Sequence, residues 1–250
     1  MNKEKLIELT IKNPMKYAYI NLDNENKYKG WVYDFRLVHV PSNQKLGLDL
    51  RKENDLFLLF VLASAWSRTG PWENAVFFTA HLKMQYDISN LIQNKESINP
   101  NLHKFDINSY KGIDSRKSVF FRKDLYNSVD VLIKNWSDIK QHLEVANQTG
   151  DWLSFIKYIS SINGLGTNNK KMRIKILLIL RELRCQKIYS NIDGKYCCVA
   201  DAKVKEAYKT LNLRLPVDYI KASQVIYNDF GDLYDIPPFA LNDFIQDNLI

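Results

Sequence analysis

Residues 162–180 read "INGLGTNNKKMRIKILLIL": two glycines, a polar cluster and paired lysines set before an apolar run. Gly164 and Gly166 predict a tight turn, since only glycine takes a positive φ at little cost. Beyond them Met172, Ile176, Ile179 and Leu183 recur at helical period on one stripe, with Lys171 and Lys175 beside it. Upstream, "DWLSFIKYISSI" carries the same period through Trp152, Phe155, Ile159 and Ile162. The unit reads helix, glycine hairpin, helix. Exposed turn amides at a helix N-terminus can hold a phosphate.

The same periodicity extends outward on both sides. "NDLFLLFVLASAWSR" is almost wholly apolar and predicts a buried helix, broken at Gly70 and Pro71 and resumed by "WENAVFFTAHLKM". A polar stretch over residues 93–117 reads as a long loop. "DLYNSVDVLIKNWSDIKQHL" returns to helical period through Leu125, Val129, Leu132, Ile133 and Trp136. Past the hairpin, "YCCVADAKVKEAYKTL" is a short apolar entry followed by a helix through Val204, Ala207, Tyr208 and Leu211. A last helix is expected after "DIPPF", because Pro237 and Pro238 cannot sit inside one. The first 50 residues differ. "YAYINLDNENKYKGWVYDFRLVHV" is rich in aromatic and β-branched residues around a polar turn at residues 24–27, which predicts a small antiparallel β element. The expected fold is a mostly α helical bundle over residues 51–250, preceded by a small β-containing segment over residues 1–50.

Composition bounds the function. A chain of 250 residues, 46% apolar, can bury a sizeable core. Thirty-five basic against 28 acidic side chains give a formal charge of +7, compatible with a nucleic-acid partner without requiring one. The opening "MNKEKLIELTIKN" has no basic region leading into an apolar stretch, so no signal peptide is expected. No run approaches the roughly 18 apolar residues of a membrane span, so no membrane partner is expected. Cys185, Cys197 and Cys198 form no disulfide framework and suit a reducing, cytoplasmic compartment. His39, His81, His103 and His142 have no ligand spacing; neither a metal nor a cofactor is expected.

The order "GLGTNNKK", helix, loop, "CCVADAKVKEAYKTL" is similar to the helix-hairpin-helix superfamily of DNA glycosylases. The resemblance places Lys171 on the lysine of the bifunctional members, with Ile176 and Leu178 on apolar positions of the same helix. Lys170 is the neighbouring alternative. "CVADAKV" resembles the apolar segment that ends in the catalytic aspartate, placing Asp201 there and Val204 on the trailing position. The long interval from Lys171 to Asp201 is nearer to the archaeal 8-oxoguanine glycosylase branch. "ASAWSRTGPWENAVFF" and "DIPPFALNDFI" also resemble segments of that branch. The blocks cover roughly residues 55–250. The chain departs from the pattern in two extra hairpin residues, Asn168 and Asn169, in Asn242 where an aspartate is expected, and in Gln246 for a tryptophan. It lacks the four-cysteine iron–sulfur motif of another branch.

The resemblance implies a monomeric DNA N-glycosylase with AP lyase activity, acting on a flipped-out base in duplex DNA. The base would be an oxidised purine such as 8-oxoguanine. Lys171 and Asp201 would be catalytic, Gly164, Gly166, Thr167 and Lys170 would bind DNA, and Asn242 and Trp72 would line the base pocket. Those residue types suit the chemistry. Cleaving an N-glycosidic bond builds positive charge on the sugar, which a carboxylate stabilises. An amine attacks C1′ only when neutral, and neighbouring cations such as Lys170 and Lys175 favour that form. The base must leave the stack to be reached. Plainer readings exist for each residue. The hairpin alone suits a non-catalytic DNA-binding module, and a bundle that binds proteins would leave the basic residues scattered. Asp201 suits a helix N-cap, and Trp66, Trp72 and Trp152 suit a core.

Overall fold

A computed structural model describes residues 3–12, 47–69, 72–98, 122–166, 171–189 and 191–231. Among them are nine α-helices: α1 (Lys3–Lys12), α2 (Glu53–Thr69), α3 (Trp72–Gln85), α4 (Ile88–Asn94), α5 (Lys123–Thr149), α6 (Trp152–Ser161), α7 (Ile174–Cys185), α8 (Ala202–Thr210) and α9 (Tyr219–Phe230). The protein is therefore mostly helical. The expected β element, residues 99–117 of the loop expected over 93–117 and the helix after "DIPPF" lie outside the described residues; residues 93 and 94 of that loop are helical instead, since the Asp87 cap starts a helix that runs to Asn94. The chain forms two compact units, residues 32–176 and residues 1–31 with 177–250, and the division falls inside α7.

In the first unit α2 packs on α3 and α5, and α5 packs on α4 and α6. Six consecutive residues of α2, Phe57 to Leu62, are buried, as a helix apolar on every side requires. Phe57 and Phe60 both meet the Trp136 ring edge-on, at centroid separations of 5.1 and 5.4 Å. Such pairs contribute about 1 kcal/mol each beyond the area they bury. The buried Asp55 is met by the Lys83 ammonium at 2.8 Å. Leu125, Val129, Leu132, Ile133 and Trp136 of α5 are buried as their spacing predicts. Gly150, at φ 75°, ends α5, and Asp151 at once caps α6 by accepting from the Ser154 amide at 3.1 Å. That glycine–aspartate pair turns the chain in two residues.

In the second unit Asp201 and Asp218 cap α8 and α9. Tyr208 donates to Asp229 at 2.9 Å, and the Lys3 ammonium meets the other carboxylate oxygen at 3.0 Å, tying α1 to α9. Ser223 of α9 donates to the Lys195 carbonyl and accepts from the Cys198 amide, which fastens the segment before α8. A side chain at Gly194 would run into the Tyr227 ring.

Three helices go beyond what the sequence pattern announces. Helix α4 has only seven residues, set by the Asp87 cap. Helix α9 turns Ala222 and Ser223 toward its core, where large apolar residues would have marked a stripe. Helix α1 is short and mostly polar, with Leu6 buried.

Glu53, at the start of α2, accepts from the Trp136 indole at 3.0 Å and from the Lys140 ammonium at 2.9 Å. The Lys140 hydrogen bond holds the Glu53 carboxyl below its ordinary value of 4.5. A depressed carboxyl binds its proton more weakly when folded. Its contribution is therefore complete above pH 4.5 and lost as the pH falls through the folded value. Both side chains are nearly half exposed, which limits that contribution to about 1 kcal/mol or less. Denaturation measured between pH 3 and 6 should show Lys140→Gln flattening part of the acid loss of stability, and an unchanged acid profile contradicts this account.

Candidate functional site

The glycine segment expected to form the hairpin begins where α6 ends, with the Ile162 amide closing on the Ile159 carbonyl. Asn163 and Lys171 then pair as an isolated antiparallel bridge. The two glycines between them serve different physical needs. Gly164 has φ 99°, and a Cβ there would lie 2.9 Å from Cγ2 of Val131 on α5. Gly166 has no positive φ; a Cβ on it would collide with the Lys171 carbonyl. One glycine supplies the bend, and the other lets the returning strand approach.

Two helices clamp the turn from behind. Ser64 of α2 donates to the Leu165 carbonyl at 2.8 Å, and Ser128 of α5 donates to the Gly164 carbonyl at 3.0 Å. Ser128 also donates to the Asp124 carbonyl of its own helix. Each bond contributes about 1 kcal/mol net, and losing a hydroxyl would strand a buried carbonyl. Leu165 and Gly166 are buried and Gly164 half-buried, so these turn residues are less open than the sequence predicts. Thr167 and Lys170 lie outside the described residues, as does Asn242.

Lys171 is half-buried, and α7 begins three residues beyond it at Ile174. The lysine thus sits on an isolated bridge ahead of the helix rather than in the first helical turn. Met172, expected on the helical stripe, is buried ahead of the helix. Lys175 places its ammonium 3.6 Å from the centroid of the half-exposed Trp66 ring, a cation–π contact. Trp152 is fully buried, and Trp72 opens α3.

Asp201 belongs to the second unit. Its Oδ1 accepts from the Val204 amide at 2.9 Å and caps α8. Among the described residues no donor meets its Oδ2. Behind it Cys197, Cys198 and Ala200 are buried, and Val204 is buried on the far side. Burial, the chief cause, pushes the Cys197 thiol well above its usual range, as suits a small apolar filler. The described residues hold no cluster of metal-ligating side chains, and no helix among them is long and apolar enough to cross a membrane. No family model, curated protein or solved structure matches the chain.

The two serines that clamp the turn are what sequence reasoning misses. Their one signal is a hydroxyl inside an otherwise apolar run, "FVLASAW" for Ser64. Urea denaturation should separate these roles. Gly166→Ala should cost more than about 2 kcal/mol, because backbone atoms must move. Ser64→Ala should cost about 1–2 kcal/mol. Gly47→Ala, where nothing lies within 4 Å, should stay within about 0.5 kcal/mol. Equal effects at Gly166 and Gly47 would contradict the close approach.

Proposed function

We propose that the protein is a DNA glycosylase with AP lyase activity, in which Lys171 is the nucleophile and Asp201 the supporting carboxylate. The reading rests on one observation above the others. Beyond the two glycines Asn163 pairs with Lys171, and Asp201 later caps a helix behind the buried Cys197, Cys198 and Ala200, an order like the one the resemblance implies.

In this reading, the Lys171 amine attacks C1′ of a flipped-out nucleotide as the C1′–N bond breaks and the base departs with a proton. Positive charge developing on the sugar is stabilised by the carboxylate of Asp201. The bound amine then gives up a proton to O4′ as the C1′–O4′ bond opens, leaving a Schiff base; loss of a C2′ proton and cleavage of the C3′–O bond release the 3′ phosphate and cut the strand. The hairpin supplies register on the backbone without reading sequence. The asparagine at position 242 both donates and accepts, where an ionised aspartate only accepts. A preference for an oxidised purine edge that differs from plain 8-oxoguanine enzymes follows from that change. Enzyme and bare binding module share the hairpin and differ in whether the lysine and aspartate act.

Borohydride reduction on damaged duplexes, across a panel of lesions, tests the reading. A covalent protein–DNA adduct should form and should vanish in Lys171→Gln, with Lys170→Gln run beside it to fix the register. Asp201→Asn keeps the Val204 cap but removes the charge. Excision should fall about 100- to 1000-fold while duplex binding survives. If both lysine variants still trap, or Asp201→Asn excises normally, the glycosylase reading fails. Duplex binding that then persists identifies a non-catalytic module.

A further inference from the structure

A cavity of about 150 Å³ opens among α2, α4 and α5 and uses none of the hairpin's residues. Its polar wall is Glu53, Lys95, Ser137 and Lys140, and Trp136 lies beneath them. Ile92 and Ile133 complete it on the apolar side. Ligand pockets for drug-sized molecules run to several hundred Å³, whereas about 150 Å³ holds something the size of a benzene ring. A small ligand is therefore the only kind that fits.

The charges decide its sign. Glu53 is already committed, accepting from both the Trp136 indole and the Lys140 ammonium. Lys95 has no such commitment: among the described residues no carboxylate pairs with it. The Glu53–Lys140 pair is neutral overall, so Lys95 gives the wall its net positive charge, and the Ser137 hydroxyl can donate or accept beside it. Lys95 also holds an unusual backbone. It ends α4 at φ 53° and ψ 36°, the left-handed conformation that glycine adopts most easily. Its amide and that of Glu96 close the helix on the Ile92 and Leu91 carbonyls, bonds that any residue could make. Non-glycine residues held in this conformation cluster at ligand sites. Lys187 and Asn212 end their helices in the same conformation, and at Lys95 it leaves at the cavity wall a cationic side chain that glycine would not supply.

We propose that this cavity binds a small oxyanion of the phosphate class, met by the ammonium groups of Lys95 and Lys140 and the hydroxyl of Ser137. Lysine serves phosphate as a point charge and needs no forked geometry. Ile92 and Ile133 offer a surface to a small organic remainder, which makes a phosphomonoester and free phosphate the two sources of the same chemistry. The site stands or falls independently of the DNA reading.

Isothermal titration calorimetry at constant ionic strength tests it with two probes, inorganic phosphate and methyl phosphate. The parent protein should give a saturable isotherm. Tighter binding of methyl phosphate marks the monoester as the ligand, and equal or weaker binding marks free phosphate. Lys95→Gln keeps the strained backbone and removes the charge. Lys95→Gly removes the charge and relieves the strain. Both should weaken binding about tenfold or more, the low end of what one hydrogen bond to a charged group contributes. Lys95→Gly should melt no lower than the parent, so its loss of binding is not a loss of fold. The absence of saturation in the parent with either probe, or parent-like affinity in Lys95→Gln, overturns the proposal.

Discussion

The carbonyl of Lys171 lies where a side chain at residue 166 would otherwise stand. Only a residue without Cβ lets the returning strand come so close, and the bridge between Asn163 and Lys171 depends on that approach. From it follows the position of Lys171 on an isolated bridge, three residues ahead of α7. The same closure presents the carbonyls of Gly164 and Leu165 to hydroxyls from two other helices. Residues 163–166 are thus tied by the bridge to Lys171 and by hydroxyls of α2 and α5.

Much of this was legible in the residues. The wholly apolar run of α2 and the stripes of α5 and α6 follow from side-chain spacing alone, whereas the glycine–aspartate joint between α5 and α6 emerges only in the structure. A bend at the glycines was legible, but for one of them the reason differs. Gly164 is there for its positive φ, and Gly166 for the space beside a backbone carbonyl, which no local pattern encodes. The helices that escaped notice are those whose buried faces carry few large apolar side chains, such as Ala222 and Ser223 in α9. Long-range polar bonds escape for a related reason. Nothing in "SAW" says that the Ser64 hydroxyl will meet a carbonyl a hundred residues away.

Of the candidate site, the residues that lie within the described chain keep chemical sense. Asp201 is at once a helix cap and a carboxylate with a second oxygen that no described donor meets. A cap fixes the carboxyl in place, so the structural role and the proposed catalytic role reinforce each other. Lys175 rests its charge on the face of Trp66. The basic excess of +7 favours approach to a polyanion at low ionic strength and carries no sequence preference of its own. The cavity at Lys95 belongs to different helices and to a smaller anion.

The central claim, that the hairpin is where DNA is gripped, is open to direct observation by amide resonances during titration with a short duplex. The account predicts that the largest shifts fall on residues 163–171 and shrink as salt is raised, since lysine–phosphate contacts release counterions. A duplex that binds while leaving those resonances unmoved, or that binds equally well at high salt, would contradict it.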